Sequence, residues 1–282
     1  MLFVVEKIKI LILGASGQIG TQLKKTLSPI GTIKSCTRKE ADLENPEQLK
    51  QIIQNYKPQI IVNAAAYTAV DQAESEPEKA YRINSEAVAI IAQESKNNNA
   101  LFVHYSTDYI FDGIQTEPYT ENNQPNPQSI YGKSKWKGEQ SIIDSGTEYL
   151  IFRTSWVYAL IGKNFLNSIL KIAKERKELN IIDDQIGAPT SATLIANITA
   201  QAIDKKIKSG IYNMTASGST SWYGFAEQIL KYATKQHYNI KLTPVTTKQY
   251  PQVVPRPKNS KLDTTKLQQV LNFTLPTWQQ EL

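Results

Sequence analysis

The stretch "ILILGASGQIG", Ile10 to Gly20, is where the fold of this chain is decided. Ile10 to Leu13 carry no polar side chain, the pattern of a strand buried on both faces. Gly14, Gly17 and Gly20 follow, and "GQIGTQLKKTLSPI" repeats its apolar residues at helical spacing until Pro29. A strand, a glycine-rich turn and a helix in that order make a phosphate-binding turn. Gly14 permits the tight exit from the strand. Gly17 lets the backbone approach a pyrophosphate, and Gly20 lets the helix pack close on the strand. The first helical turn then offers free N–H groups and the positive end of its dipole to the phosphates. The spacing is GxxGxxG rather than GxGxxG, so the flanking strand and helix carry much of the assignment.

Outward from this turn the alternation repeats. "TIKSCT" reads as a second strand, and "NPEQLKQIIQNYKP" as a helix with Asn45 as cap and Pro46 at its first position. "QIIVNAAA" is a third strand, "EPEKAYRINSEAVAIIAQESKNNN" a helix, and "ALFVHYST" a fourth strand. A Pro/Asn-rich loop leads into a helix at "SIYGKSKWKGE", and "TEYLIFRTSWVY" is a fifth strand. Apolar strands separated by helices predict an α/β fold, a Rossmann-type doubly wound parallel sheet with ligands at the carboxyl ends of its strands. Beyond Tyr158 the regularity weakens. Residues 1–157 are expected to form the dinucleotide-binding domain. Residues 158–282 are expected to form a smaller C-terminal α/β portion, mainly substrate-binding and interleaved with the main sheet. Its end, with Pro244, Pro251, Pro255, Pro257 and Pro276, reads as loop-dominated.

With 282 residues, 40% hydrophobic and 21% charged, the chain can bury a sizeable core. No apolar run approaches the ~20 residues of a membrane span. Glu6, Lys7 and Lys9 interrupt the amino-terminal apolar stretch, which reads as a short leader rather than a signal peptide. A single cysteine, Cys36, excludes an internal disulfide and suits a reducing, cytoplasmic compartment. His104 and His237 stand far apart, so no metal ligand is assigned, and His104, inside a strand, is expected to be structural. The net charge of +6 comes from lysines spread along the chain, which suits an anionic small molecule better than nucleic acid.

The fourth strand ends in "STDYIFDG", setting Ser106, Thr107 and Asp108 where a doubly wound sheet binds ligands. Tyr131 and Lys135, one helical turn apart, share a face of the next helix. That spacing alone is common on wet helices. Joined to a hydroxyl at a strand end and a glycine-rich first turn, it describes ketone reduction. Hydride delivery leaves an alkoxide that needs a proton. A phenol titrates near about 10, and a neighbouring ammonium is expected to draw it down. Lys135 would also hold the nicotinamide ribose, and Thr107 would fix the carbonyl oxygen beside Tyr131. At the end of the second strand, Arg38 and Lys39 favour the extra phosphate of NADPH, while Asp42 keeps NADH open.

With these residues assembled, the sequence resembles the extended short-chain dehydrogenase/reductase superfamily and, within it, the dTDP-4-dehydrorhamnose reductase branch. The likeness covers nearly the whole chain: "GASGQIG", "NAAAYTAVDQAE", "STDYIFDG", "YGKSKWKGE", "RTSWVY", "DDQIGAPTS" and "RPKNSKLD" follow in family order. It implies NADPH-dependent reduction of the 4-keto group of dTDP-4-dehydro-6-deoxy-L-mannose to dTDP-L-rhamnose, a nucleotide sugar for O-antigen and other glycoconjugates. Tyr131 would be the proton donor, Lys135 its electrostatic partner and ribose anchor, and Thr107 the pKa-tuning hydroxyl. Cofactor contacts carry over to Gly17, Gln18, Ile19, Asp42, Leu43, Ala66, Tyr67 and Thr68. Substrate contacts carry over to Thr107, Asp108 and Trp156, with Val70 also on the substrate side. Each has a plainer reading: Trp156 as a core aromatic, Asp108 as a turn cap, Ile19 and Leu43 as packing. Some relatives bind Mg2+ at a dimer interface, but no ligands can be assigned here, and monomer and homodimer both stay open. Where the family often has histidine after "NAAA", this chain has Tyr67. Two alternatives compete: another nucleotide-sugar reductase or epimerase of the superfamily, and a silent regulatory subunit similar to that of methionine adenosyltransferase. Retention of Thr107, Tyr131 and Lys135 argues against the second.

Overall fold

Alternate residues of the first strand face opposite ways, and both ways are buried. In β1 (Ile8–Leu13), Ile10 and Ile12 join one apolar core while Leu11 and Leu13 join another. The computed structural model describes residues 7–233, 240–250 and 252–282. The leader as far as Glu6, His237 and Pro251 lie outside the described residues. β1 pairs in parallel with β2 (Gly31–Cys36) on one side and β3 (Ile60–Asn63) on the other. Beyond β3 come β4 (Leu101–Thr107), β5 (Tyr149–Thr154) and the strand Gly210–Asn213, all parallel. The order reverses between β1 and β3, which opens a crevice at their carboxyl ends.

Helices cover both faces, as the unbroken apolar strands require. Leu23 and Leu27 of the Gln18–Leu27 helix and Leu194, Ile195 and Ile198 of the Ala192–Asp204 helix close one core. The helices Pro46–Tyr56, Ala87–Asn97 and Ile130–Ser145 close the other through Leu49, Ile53, Val88, Ile91 and Ile142. Asn45 caps its helix by accepting from the Gln48 N–H, and Pro46 takes the first position.

Several elements differ from the sequence reading. The fifth strand stops at Thr154, because Trp156 adopts a left-handed backbone (φ 49°) that no strand can continue. Val157–Tyr158 pairs instead with Thr190–Ser191. The long helix after β3 is broken by a π-helical turn, Arg82–Glu86. Asn84 in that turn accepts from the Tyr67 N–H (2.9 Å) and donates to the Tyr67 carbonyl and the Ser134 hydroxyl, both at 3.0 Å. The turn thus pins the loop after β3 to the Ile130–Ser145 helix. The carboxyl-terminal region holds more structure than its prolines suggest: a strand, Lys241–Val245, parallel to Glu178–Ile182, and a helix, Thr265–Leu271. Asn259 there donates to the carbonyls of Gln115 and Glu117, both at 2.8 Å, fastening the loop that follows β4. Among the described residues no helix is long and apolar enough to cross a membrane.

One buried ion pair ties the second face together. Glu139 accepts from Arg153 Nε (3.1 Å) and Nη2 (2.7 Å), with side chains 1% and 3% exposed. Arg153 Nη1 donates to the Glu121 carbonyl (3.2 Å), and the Glu121 carboxylate receives the Asn213 N–H (2.8 Å). Helix, β5 and the edge strand are joined by one network. Glu139→Ala leaves a guanidinium buried without its carboxylate and is expected to cost roughly 3–5 kcal/mol. Urea unfolding measures this, and a loss under about 1 kcal/mol would mean the charge is compensated elsewhere.

Candidate active site

A cavity of about 480 Å³ fills the crevice where the strand order reverses. Its floor is the glycine-rich turn. Gly14 has φ +78°, and a Cβ there would stand 2.6 Å from the Ala65 nitrogen. Gly20 is tighter still, since its Cβ would meet the Gly14 carbonyl oxygen at 2.2 Å. Helix and strand touch through bare backbone, and the amino end of the Gln18–Leu27 helix, capped by no side chain, opens on the cavity. Ser106 and Thr154 also line it, and among the described residues their buried hydroxyls have no hydrogen-bond partner. Backbone donors at one end and orphaned hydroxyls at the other fit a dinucleotide spanning the crevice.

Most of the residues singled out from the sequence meet on this wall. Gly14, Gly17, Gln18 and Ile19 line it from the turn, and Arg38, Asp42 and Leu43 from beyond β2. Ala66 and Thr68 line it from beyond β3, Tyr131 and Lys135 from the helix that Ser129 caps. Asp42 also accepts from the Glu44 N–H (3.0 Å), so its carboxylate shapes the turn it stands on. Tyr67 is not on the wall: its ring is buried and its hydroxyl donates to Glu76 at 2.9 Å. Lys39, Val70, Thr107, Asp108 and Trp156 lie outside it as well. Trp156 is half-buried, stacked on Trp222 with ring centroids 3.5 Å apart, while its neighbour Val157 reaches the cavity.

Sequence reasoning missed several wall residues. Asn63 is the one polar side chain ending an apolar strand, a signal that was available. Ile161, Gly162 and Lys163 come from a loop whose Asn164 donates to Gln18 Oε1 at 2.8 Å; its Gly-Lys pair after a strand was the only hint.

The electrostatics correct one expectation. Burial pushes the Tyr131 phenol up to about 12, the Thr107 hydroxyl opposes this, and the Asp108 carboxylate adds to it. In the resting phenol the neighbouring lysine does not offset this rise, and Lys135 turns inward. Its Nζ donates to the Tyr105 carbonyl (2.6 Å) and lies 3.0 Å from His104 Nε2. Burial lowers Lys135 to about 8, against the pull of Glu139. Tyr131 is thus a protonated acid at neutral pH. Thr107 donates to Asp108 Oδ1 at 3.0 Å and accepts from the Tyr109 N–H at 3.2 Å. Among the described residues no group of three or more His, Cys, Asp or Glu side chains is placed to hold a metal, and the magnesium that the resemblance implies has no assigned ligands.

Residues 8–282 match the family described as the RmlD substrate binding domain. The dTDP-4-dehydrorhamnose reductase of Burkholderia thailandensis is 43% identical over 96% of this chain and 95% of its own length. That of Escherichia coli is also 43% identical, over 96% of this chain and 94% of its own. The crystal structure of the Bacillus anthracis dTDP-4-dehydrorhamnose reductase in complex with NADP superposes with a TM-score of 0.92 at 36% identity, covering 97% of this chain and 96% of that one.

Asp108 gives this site a pH signature. Burial raises its carboxyl to about 6, opposed by hydrogen bonds from Ser260 and Thr107. The folded chain therefore holds this proton more tightly than the unfolded chain does, and ionisation costs stability as pH rises from about 4 to about 6. Asp108→Asn is expected to match the wild type below that window and to exceed it in stability above. Urea midpoints at several pH values test this, and a difference independent of pH would remove the raised carboxyl.

Proposed function

This chain belongs to the RmlD substrate binding domain family, and on that premise we propose that it reduces the 4-keto group of dTDP-4-dehydro-6-deoxy-L-mannose with NADPH, giving dTDP-L-rhamnose. One observation carries the reading: Tyr131 and Lys135 share a single cavity with the glycine-rich turn and Arg38. A phosphate site, a cation for a 2′-phosphate and a buried acid stand along one wall.

Bound NADPH supplies the hydride to the sugar ketone. The chain supplies the rest. Gly17, Gln18 and Ile19 hold the pyrophosphate at the helix amino terminus. Asp42, Leu43 and Arg38 take the adenosine half, Ala66 and Thr68 its middle, and Lys135 the nicotinamide ribose. Tyr131 gives its proton to the oxygen that becomes the alcohol, and burial keeps that proton in place until the oxygen gains charge. Thr107, beside Tyr131, orients the carbonyl. Asp108, Val70 and Trp156 complete the sugar-nucleotide side. Residues 1–157 supply the cofactor contacts and the named sugar-nucleotide contacts, and Ile161 to Lys163 bring residues 158–282 to the same cavity.

The test supplies a dTDP-4-keto-6-deoxy sugar and follows NADPH absorbance. Consumption matched by rhamnose product supports the reading; a flat trace while the sugar changes favours an epimerase. Tyr131→Phe is expected to lower kcat by about 10²–10⁴-fold with little change in NADPH affinity. Near-normal turnover would remove Tyr131 from the acid role. Arg38→Ala is expected to weaken NADPH binding roughly tenfold and NADH much less. Equal losses would mean that Arg38 does not read the extra phosphate.

A further inference from the structure

Beneath Lys135 runs a buried chain of hydrogen bonds that the reaction as described does not use. Asn63, at the end of β3, and His104, inside β4, are each 1% exposed, and Lys135 is 2% exposed. Asn63 Oδ1 accepts from the Ala65 N–H at 3.1 Å, which fixes how the amide sits. Its Nδ2 is therefore the atom that faces His104 Nδ1, at 3.3 Å. An amide NH2 only donates, so Nδ1 accepts and carries no proton. A neutral imidazole then keeps its proton on Nε2. That nitrogen lies 3.0 Å from Lys135 Nζ.

An N–H cannot bond to an ammonium, which has no lone pair. It can bond to a neutral amine, whose own hydrogens remain free for the Tyr105 carbonyl. We infer that Asn63, by fixing the His104 tautomer, makes His104 a positioning residue that holds Lys135 as the neutral amine in the cofactor-free chain. Charging Lys135 requires the His104 proton to move to Nδ1, where it meets the Asn63 NH2 head on.

Burial pushes both groups toward their neutral forms: it lowers His104 well below its ordinary value and also lowers Lys135. Of the groups around Lys135, Glu139 on its own helix pulls the other way but is shared with Arg153 of β5. His104, Tyr105 and Asp108 stand on or just beyond β4, Tyr131 one turn back on the helix, and Asn63 on β3 is uncharged.

The consequence rests on the reductase reading. When Tyr131 yields its proton, a charged Lys135 offsets the phenolate. Activity then falls as pH rises and Lys135 loses its charge, and His104 places that fall at a lower pH than an isolated buried lysine would show.

Nitrogen-15 NMR of the imidazoles tests the tautomer without turnover. With two histidines in the chain, His237→Gln assigns the spectrum. The expected result is a neutral Nε2–H ring at His104 from about pH 5 to about pH 9. An Nδ1–H or doubly protonated ring overturns the inference. His104→Gln places a carbonyl oxygen where Nε2 stood and is expected to move the basic limb of the kcat profile up by roughly one pH unit. A loss of kcat with the limb unmoved, or moved down, also overturns it. A wild-type chain that reduces no keto-sugar overturns the functional reading alone, since the tautomer is read independently.

Discussion

The site depends on a contact between two stretches of bare backbone. Gly20 lies so near the Gly14 carbonyl that a single methyl group would have nowhere to go. This approach seats the Gln18–Leu27 helix directly on the exit of β1 and aims its first turn across the reversal of strand order. The helix is then held from behind by Ala192–Asp204 in the same core. Any residue bulkier than glycine lifts the helix, and the anion-binding end moves away from Tyr131 and Lys135. In the proposed reaction, phosphate binding and proton transfer would be coupled by this steric limit rather than by an attractive force.

A second constraint works from the far end of the chain. The segment "RPKNSKLD" reads as a motif, but its physical role is to satisfy backbone groups elsewhere. Asn259 takes up the Gln115 and Glu117 carbonyls, Lys261 the Thr116 carbonyl, and Leu262 bridges to Tyr119. Arg256 reaches Asp71 at 2.6 Å, with the carboxylate half-exposed, which keeps the pair of modest worth. The Asn259 bonds matter more, because the Asn259 side chain is buried and its amide, left without these acceptors, would carry the desolvation penalty of an unpaired donor. Together they steady the loop between β4 and the Ser129 cap, and so the spacing between Thr107 and Tyr131.

How much of this was legible in the sequence follows from what each feature depends on. β1, β3, β4 and β5 were readable because burial on both faces leaves a local trace along the strand, whereas β2, a half-buried edge strand, was legible from its place between two helices. The glycine turn was readable because close approach demands glycine. Trp156 was not, since a left-handed tryptophan has no compositional mark; the turn is held by stacking on Trp222, which lies far along the chain. The π-helical turn around Asn84 escaped for the same reason, its partners being Tyr67 and Ser134. The direction of the Tyr131 shift was misjudged because four-residue spacing shows that Lys135 is near, not which way its amino group points. Asn63, as His104's partner, is visible only once β3 and β4 are paired in register.

The strand Gly210–Asn213 pairs with β5 along its whole length and anchors Asn213 to the Tyr119 and Asp263 carbonyls. It arrives from the later half of the sequence to finish a sheet begun by the first. A truncated product ending near Tyr158 would leave β5 as a naked hydrophobic rim, ready to recruit strands from other copies. Expressed alone, the first half of the chain would be prone to aggregation along that rim, because the strand that closes its sheet belongs to the second half.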